Sequence, residues 1–141
     1  MCLIDNVIGW DAGAIRCVTQ THVQGDNPLR AQGRLGALCG IEYAAQAMAI
    51  HGAILHWGNA APGDPCGPVQ GYLAALRDVQ SLVERLDDLA PELEIAAVRF
   101  AALAGGAIYD YEIRHATRTL QTGRLTLKFA GRVLDSEGAG A

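Results

Sequence analysis

The chain has 141 residues, of which 50% are hydrophobic, 18% charged and 6% aromatic. That length suits one domain with a sizeable core, and the apolar content and small net charge (−4) exclude a disordered chain. With 15 acidic and 11 basic residues, the chain has no basic footprint for nucleic acid or an anionic membrane. We expect a single domain over 1–135 and a frayed tail over 136–141.

The cysteines show neither the C-x-x-C spacing of a redox motif nor a histidine spaced to complete a zinc site. They are Cys2, Cys17, Cys39 and Cys66. We therefore predict no metal and no cofactor. The N-terminus also lacks the charged segment and apolar run of a secretory signal, so the expected location is a reducing cytoplasm with buried thiols.

The first predicted elements are a strand, a loop and a long helix. Ala14 to Val23 mixes apolar residues with Thr and Gln in a pattern typical of a strand. Gln24 to Gly36 holds three Gly and one Pro, which predicts a long loop of the kind that is usually functional. Ala37 to His56 is rich in helix formers and apolar nearly all round, which predicts a buried helix.

The stretch from Leu35 to Trp57 is long enough to cross a bilayer, with 23 residues. It contains Glu42, however, and much of its apolar content is Ala, which offsets little of the cost of a carboxylate in lipid. We expect a helix in the core of a soluble protein and no membrane span.

The second half of the chain predicts strands after a Gly- and Pro-rich loop at 58–71. Strands are expected at 72–80, 93–103 and 108–115, with Tyr109 and Tyr111 on a buried face, and at a last segment that includes Leu125 and Phe129. Gly105-Gly106 and Thr122-Gly123 are predicted turns, and consecutive strands should pair antiparallel. One strand, a buried helix and three or four further strands fit an α+β fold with a sheet wrapped around one helix.

Three polar residues stand in apolar or loop-edge positions. His22 closes the first predicted strand, where a surface or capping histidine is the ordinary interpretation. Glu42 lies near the start of the helix, where a carboxylate complements the positive helix end. Gln46 lies one turn further on the same face, within reach of Glu42. Placed among apolar neighbours, Glu42 and Gln46 need partners or a substrate. His51, His56 and His115 are interpreted as core-edge, interface or solvent-facing residues.

Together with the loop, these residues resemble a known family. His22, the Gly-rich loop and Glu42-Tyr43-Ala44-Ala45-Gln46 are similar to the histidine, loop and E-x-x-A-Q helix of hotdog-fold β-hydroxyacyl-[acyl-carrier-protein] dehydratases. The segments GIEYAAQAMAIHG (Gly40 to Gly52), DNPLR (Asp26 to Arg30) and GRL (Gly33 to Leu35) resemble a bacterial subgroup associated with aryl polyene and specialised fatty-acid-like pathways.

The resemblance implies dehydration of a 3-hydroxyacyl thioester to a trans-2-enoyl thioester. His22 would be the base at the α-carbon, and Glu42 would orient or protonate the leaving hydroxyl. The enolate-like charge calls for N–H donors near the helix start, with Gly33, Gly36 and Gly40 as candidates, and Gln46 would contact substrate. The family also implies a homodimer or higher oligomer, with His and Glu from different subunits, and an acyl carrier protein as partner.

The loop departs from the family pattern. Mainstream dehydratases carry H-F-P-x-x-P-x-x-P-G, whereas Val23-Gln24-Gly25 follows His22 here and only Pro28 remains. Arg30 and Arg34 lie in this loop, where an arginine fork could contact the phosphopantetheine or acidic surface of a carrier protein; solvated arginines are the commoner outcome.

Several alternatives stay open from the sequence. The chain could be a non-catalytic or half-site subunit of a hetero-oligomeric dehydratase, since its loop is altered. A hotdog thioesterase would use Glu42 to activate water without His22. An enoyl-CoA hydratase is suggested by Gly25-Asp26-Asn27-Pro28-Leu29, although Arg30 stands where that family has histidine.

Overall fold

A computed structural model of the chain describes residues 2–57 and 71–129. Its helix and strands are β1 (Asn6–Trp10), β2 (Ala14–Thr19), α1 (Gly40–Trp57), β3 (Gly71–Ser81), β4 (Leu93–Leu103), β5 (Gly106–His115) and β6 (Arg118–Phe129). Short 3-10 turns at Thr21–Val23 and Ala37–Cys39 flank the long loop. Of the loop predicted at 58–71, residues 58–70 lie outside the described residues and Gly71 begins β3, and the predicted tail at 136–141 also lies outside the described residues.

The six strands form one antiparallel sheet in the order β1-β2-β4-β5-β6-β3. Consecutive pairing is confirmed for β4, β5 and β6. β3, by contrast, pairs with β6 and occupies the edge opposite β1. The strand that follows the helix, β3, therefore pairs with the last strand, β6, and not with β4, the next strand in sequence.

Helix α1 packs against one face of this sheet, as the sequence predicts. The inward residues of the strands are buried, and the alternation expected in β5 is confirmed, since Tyr109, Tyr111 and Ile113 all lie in the core. Alanine occupies positions 44, 47 and 53 on the buried side of α1, and its small side chain lets the helix backbone approach the sheet closely.

Helix α1 is the segment that could be mistaken for a membrane span. The stretch Ala37–Leu55 is long and apolar enough to cross a bilayer by length and composition, and half of it is buried inside the protein. The burial arises from the packing of α1 on β2 to β6.

Two N-terminal elements differ from the prediction. β1 is not anticipated, because Asn6 and Gly9 interrupt its apolar pattern and a bulge lies between Val7 and Gly9. β2 ends at Thr19 rather than Val23. The Thr19 and Thr21 hydroxyls both donate to the Leu3 carbonyl, and these local side-chain bonds compete with continued strand pairing.

The predicted turn at Thr122-Gly123 is wrong, because both residues lie inside β6. The chain reverses instead at Ala116 and Thr117, with Ala116 at φ 56°. Gly123 serves packing rather than turning: a Cβ there would lie 2.8 Å from Tyr111 Cε1 and 3.0 Å from Val79 Cγ2. Its missing side chain makes room for a buried tyrosine ring.

The cysteines are only partly as expected. Cys17 is a buried free thiol, and burial raises its pKa to about 12. Cys39 is a half-buried free thiol. Cys2 is disulfide-bonded, so the expectation of reduced thiols does not hold at that position.

A buried polar contact ties the middle of α1 to the sheet. His51 donates from Nε2 to the Asp11 carbonyl (2.8 Å), and its Nδ1 accepts from the Tyr109 hydroxyl (2.6 Å). The carbonyl can only accept, which fixes the proton on Nε2 and leaves a neutral ring. Burial lowers the pKa of His51, with a smaller opposing effect of the bond to Asp11, and raises that of Tyr109 to about 12.

This buried histidine predicts acid sensitivity. Because the folded-state pKa of His51 lies below its unfolded value of about 6.5, the unfolded chain binds more protons than the native one. The contribution of neutral His51 to the free energy of unfolding is therefore fully present above about pH 6.5, and it is lost as the pH falls below that value. We expect the urea midpoint to fall from pH 7 to pH 5, and His51→Gln to flatten this dependence. His115→Gln, at a half-buried histidine, is the control. If the urea midpoint of His51→Gln depends on pH as steeply as that of the wild type, the assignment is contradicted.

Candidate functional site

His22 lies on the 3-10 turn Thr21–Val23, directly after β2, and its side chain is buried. Its Nε2 lies 2.8 Å from the Leu89 carbonyl oxygen. Because a carbonyl can only accept, Nε2 carries the proton, and in a neutral ring Nδ1 then holds a lone pair. Nδ1 is buried, and no described group hydrogen-bonds to it. The turn thus presents an unoccupied imidazole nitrogen inside the protein.

The surroundings of His22 keep its ring neutral. Burial is the largest effect and lowers the pKa of His22, and the electrostatic interaction with His115 acts in the same direction. The hydrogen bond to Leu89 and the charges of Asp87 and Asp5 oppose this shift, with the smaller total effect. A neutral imidazole with a free lone pair is the form that accepts a proton.

A buried polar network fixes the turn that carries His22. The Tyr43 hydroxyl on α1 lies 2.8 Å from Thr21 Oγ1 and accepts from Asn27 Nδ2 at 2.9 Å. Asn27 Nδ2 also donates to the Thr21 carbonyl, and Asn27 Oδ1 accepts from the Leu29 amide. The start of the helix, the turn and the loop are therefore held as one unit.

Glu42 lies in the first turn of α1, as predicted, and points to solvent. It is the one exposed residue between positions 40 and 55, where every other residue is buried or half-buried. The described part of the chain gives it no hydrogen bond or ion pair. Glu42 is exposed whereas the His22 ring is buried, and no hydrogen bond or ion pair joins the two within the described residues.

Gln46 is occupied by a contact within the chain. Its Oε1 accepts from the Leu3 amide at 2.7 Å, which ties the N-terminal segment to α1. The hydrogen bond to Glu42 that the i, i+4 spacing allows does not form, since Glu42 has no such partner among the described residues.

The three candidate glycines differ in what their amides do. Gly33 lies at the exposed tip of a two-residue turn, at φ 77° beside Gln32 at φ 55°, and Ala31 and Arg34 exchange backbone bonds across it. The Gly40 amide donates to the Ala37 and Leu38 carbonyls. Gly36 precedes the 3-10 turn that leads into α1, and no hydrogen bond within the described ranges uses its amide.

The two loop arginines have different environments. The Arg30 guanidinium donates to the Gln24 and Gly33 carbonyls and to the Asp87 carboxylate, and its side chain is largely buried. Arg34 stands exposed beside the turn tip, and the described residues offer its guanidinium no acceptor. Arg30 therefore holds the loop together, whereas Arg34 is available to a partner.

Polar residues that organise this region escape prediction from the sequence. Buried Gln121 donates to the Ala37 carbonyl and Ser81 Oγ and accepts from the Tyr111 hydroxyl, which fixes the backbone ahead of α1. Asp87 anchors the loop. Apart from Tyr111 and Arg85, their partners are 40 to 84 residues away in sequence, so no local pattern indicates these contacts.

The described residues also bear on metal chemistry. Within 2–57 and 71–129, no three His, Cys, Asp or Glu side chains gather where a metal ion could bind. The polar groups that this region presents are the His22 imidazole, the Glu42 carboxylate and the Gly36 amide.

Solved structures with the same architecture include a dehydratase and several thioesterases. The dehydratase heterocomplex ApeI:P from Xenorhabdus doucetiae matches with a TM-score of 0.72 and 22% identity over 93% of this chain and 84% of that chain. A thioesterase mutant from Staphylococcus aureus matches with a TM-score of 0.60 and 13% identity, over 88% of this chain and 91% of that chain. A thioesterase from Haemophilus influenzae matches with a TM-score of 0.58 and 12% identity, over 87% of this chain and 76% of that chain. These likenesses confirm the expected hotdog fold.

The family is shown by sequence. A search of curated proteins gives no match. A family model described as ApeP-like, ApeP dehydratase, matches residues 1–131, which is nearly the whole chain. This match confirms the resemblance drawn from His22, the loop and the E-x-x-A-Q helix. The chain belongs to the ApeP-like dehydratase family, hotdog-fold dehydratases of the aryl polyene type.

Proposed function

We propose that the protein dehydrates 3-hydroxyacyl thioesters carried on an acyl carrier protein to trans-2-enoyl thioesters. The observation that carries the proposal is His22. Its Nε2 proton is committed to the Leu89 carbonyl, its Nδ1 lone pair has no partner among the described residues, and its surroundings favour the neutral ring. A buried base in this state is suited to removal of a weakly acidic proton next to a carbonyl.

In the proposed reaction, His22 Nδ1 takes a proton from the α-carbon of the substrate. The electron pair left behind forms the α–β double bond as the β-carbon–oxygen bond breaks. The hydroxyl leaves as water with a proton from Glu42, and later proton transfer from His22 to Glu42 restores both groups. The amide of Gly36, unlike that of Gly40, is available to stabilise negative charge on the thioester oxygen.

The working unit is proposed to contain more than one chain. Glu42 is exposed and forms no hydrogen bond with His22 among the described residues, and His22 Nδ1 is enclosed. A second subunit placed against the start of α1 would bring a carboxylate from one chain to the imidazole of the other. The solved ApeI:P dehydratase is a heterocomplex, which favours a related dehydratase as this partner over a second copy.

The experiment that tests the proposal is turnover of a 3-hydroxyacyl-carrier-protein thioester, followed by mass spectrometry of the acyl group. We expect loss of water by the chain with its partner and little or none by the chain alone. Full turnover by the isolated chain would contradict the assembly, and no turnover in either form would contradict the reaction. Release of free thiol would instead identify a thioesterase, and equal use of the coenzyme A thioester would remove the carrier-protein preference.

Arg34 gives a prediction about the carrier protein. As an exposed cation beside the proposed site, it can contact the phosphate or acidic surface of the carrier. We expect Arg34→Glu to weaken carrier binding severalfold at low salt, with a smaller difference at high salt because exposed charges are screened. Arg16→Glu, on the outer face of β2, is the matched control. Equal affinities of these two variants for the carrier would contradict the assignment.

A further inference from the structure

The connection between β3 and β4 contains a buried carboxylate that the proposed reaction does not use. Asp87 Oδ1 accepts from Arg85 Nε (2.9 Å) and the Leu35 amide (3.1 Å). Its Oδ2 accepts from Arg85 Nη2 (2.5 Å) and, at 3.4 Å, from Arg30 Nη1. We call these groups the Asp87 cluster. Such a carboxylate, 5% exposed and held by several donors, is costly to leave unpaired.

The Asp87 cluster joins two segments that are about fifty residues apart in sequence. On one side, Arg30 binds the loop backbone at Gln24 and Gly33. On the other side, the backbone pairs directly, since the Leu86 amide donates to the Leu35 carbonyl. Asp87 thus fixes the connection between β3 and β4 against the Gly-rich loop.

The same connection supplies the acceptor for His22. A turn forms from Leu86 to Leu89, closed by the Leu89 amide and the Leu86 carbonyl, and Asp87 lies inside this turn. Leu89 is the last residue of this turn, and its carbonyl oxygen accepts a hydrogen bond from His22 Nε2. A displacement of the turn would remove the bond that selects the histidine tautomer.

We propose that Asp87 is a positioning residue for His22: its carboxylate locks the turn 86–89 against the loop, and the turn in turn holds the Leu89 carbonyl on His22 Nε2. This inference rests on the proposed role of His22 as the base. Asp87 does not touch the reacting atoms in this scheme. Asp87 acts by raising the population of the His22 tautomer that carries its proton on Nε2 and leaves the Nδ1 lone pair free.

The test is Asp87→Asn in the complex of the chain with its partner. The amide keeps the size of the carboxylate but loses the charge that holds both arginines. We expect kcat to fall roughly ten- to a hundredfold with little change in KM, because small misplacement of a catalytic group has effects of this size. Imidazole ¹⁵N NMR should show His22 changing from the Nε2–H form to a mixture of tautomers. A merely structural role would not change the tautomer.

Asp88→Asn is the matched control, because Asp88 is the next residue, is exposed and reaches Arg85 only at 4.0 Å. It should keep the wild-type kcat and tautomer. If Asp87→Asn does not fold, Arg85→Gln takes its place, because it removes both hydrogen bonds of the Arg85 guanidinium to the carboxylate while Arg30 and the Leu35 amide keep Asp87 from being left unpaired. We then expect a smaller change of the same sign in the same two readouts. An unchanged tautomer and kcat in the folded variant would overturn the inference.

The same experiment separates this inference from the proposed reaction. If Asp87→Asn changes the His22 tautomer but His22→Ala keeps full activity, Asp87 does position His22, and His22 is not the catalytic base. Loss of activity in His22→Ala with no response to Asp87→Asn would retain the base and reject the role of Asp87.

Discussion

Replacement of His22 by Ala should lower kcat by about 10²- to 10⁴-fold, the usual contribution of a positioned general base. Glu42→Gln should lower kcat comparably, because the amide cannot protonate the leaving hydroxyl. Both effects are measured as water loss from the 3-hydroxyacyl-carrier-protein thioester by the assembled complex. The variants differ in burial, so Glu42→Gln should leave the urea midpoint unchanged, whereas His22→Ala opens a cavity and should lower it.

His115→Gln is the control for His22→Ala. His115 donates from Nε2 to the Ala90 carbonyl, the carbonyl next to the one that His22 contacts, but it stands at the surface end of β5. Glutamine keeps a donor there, so this variant should turn over at close to the wild-type rate. If both His22→Ala and Glu42→Gln keep the full rate, the assignment of this pair is wrong.

Gly106→Ala should lower the free energy of unfolding by about 3 kcal/mol, at the upper end of overpacking effects. Gly106 begins β5, and a Cβ there would lie 2.2 Å from the Leu127 carbonyl oxygen on β6. A backbone oxygen cannot rotate away as a side chain can, so the two strands must separate locally. Urea unfolding at neutral pH measures the change, and the slope against urea should stay as in the wild type.

Gly9→Ala is the matched control for this substitution. Gly9 is also a strand residue, on β1, and a Cβ there would meet nothing within 4 Å. Its stability should stay within about 0.5 kcal/mol of the wild type, as is usual for an open surface site. Equal urea midpoints for the two variants would contradict the close packing at Gly106.

The fold was largely predictable because its main elements carry strong local signals. The apolar run of α1 gives a helix, and the alternation around Tyr109 and Tyr111 gives a strand with one buried face. The prediction fails where long-range contacts decide. Thr122-Gly123 has the composition of a turn, yet both residues lie inside β6, where Gly123 leaves room for the Tyr111 ring.

The sequence suggests the candidate site residues but not how the structure organises them. His22 and Glu42 follow from residue type, from position and from the family resemblance. The sequence does not reveal that Nε2 of His22 is bound by Leu89, because that contact spans 67 residues. It also gives no sign that Arg30 is engaged by Asp87 while Arg34 stays exposed, since both arginines lie in the same polar loop.

The strand order β1-β2-β4-β5-β6-β3 has a consequence for synthesis on the ribosome. Among the described strands β3 pairs only with β6, so it has none of these strands as a partner until the last strand has left the exit tunnel. Until then the apolar helix α1 also lacks much of the surface that buries it. Because such non-local pairing is slow and exposes apolar surface, nascent chains stopped before Phe129 should bind chaperones and aggregate more readily than the full-length protein.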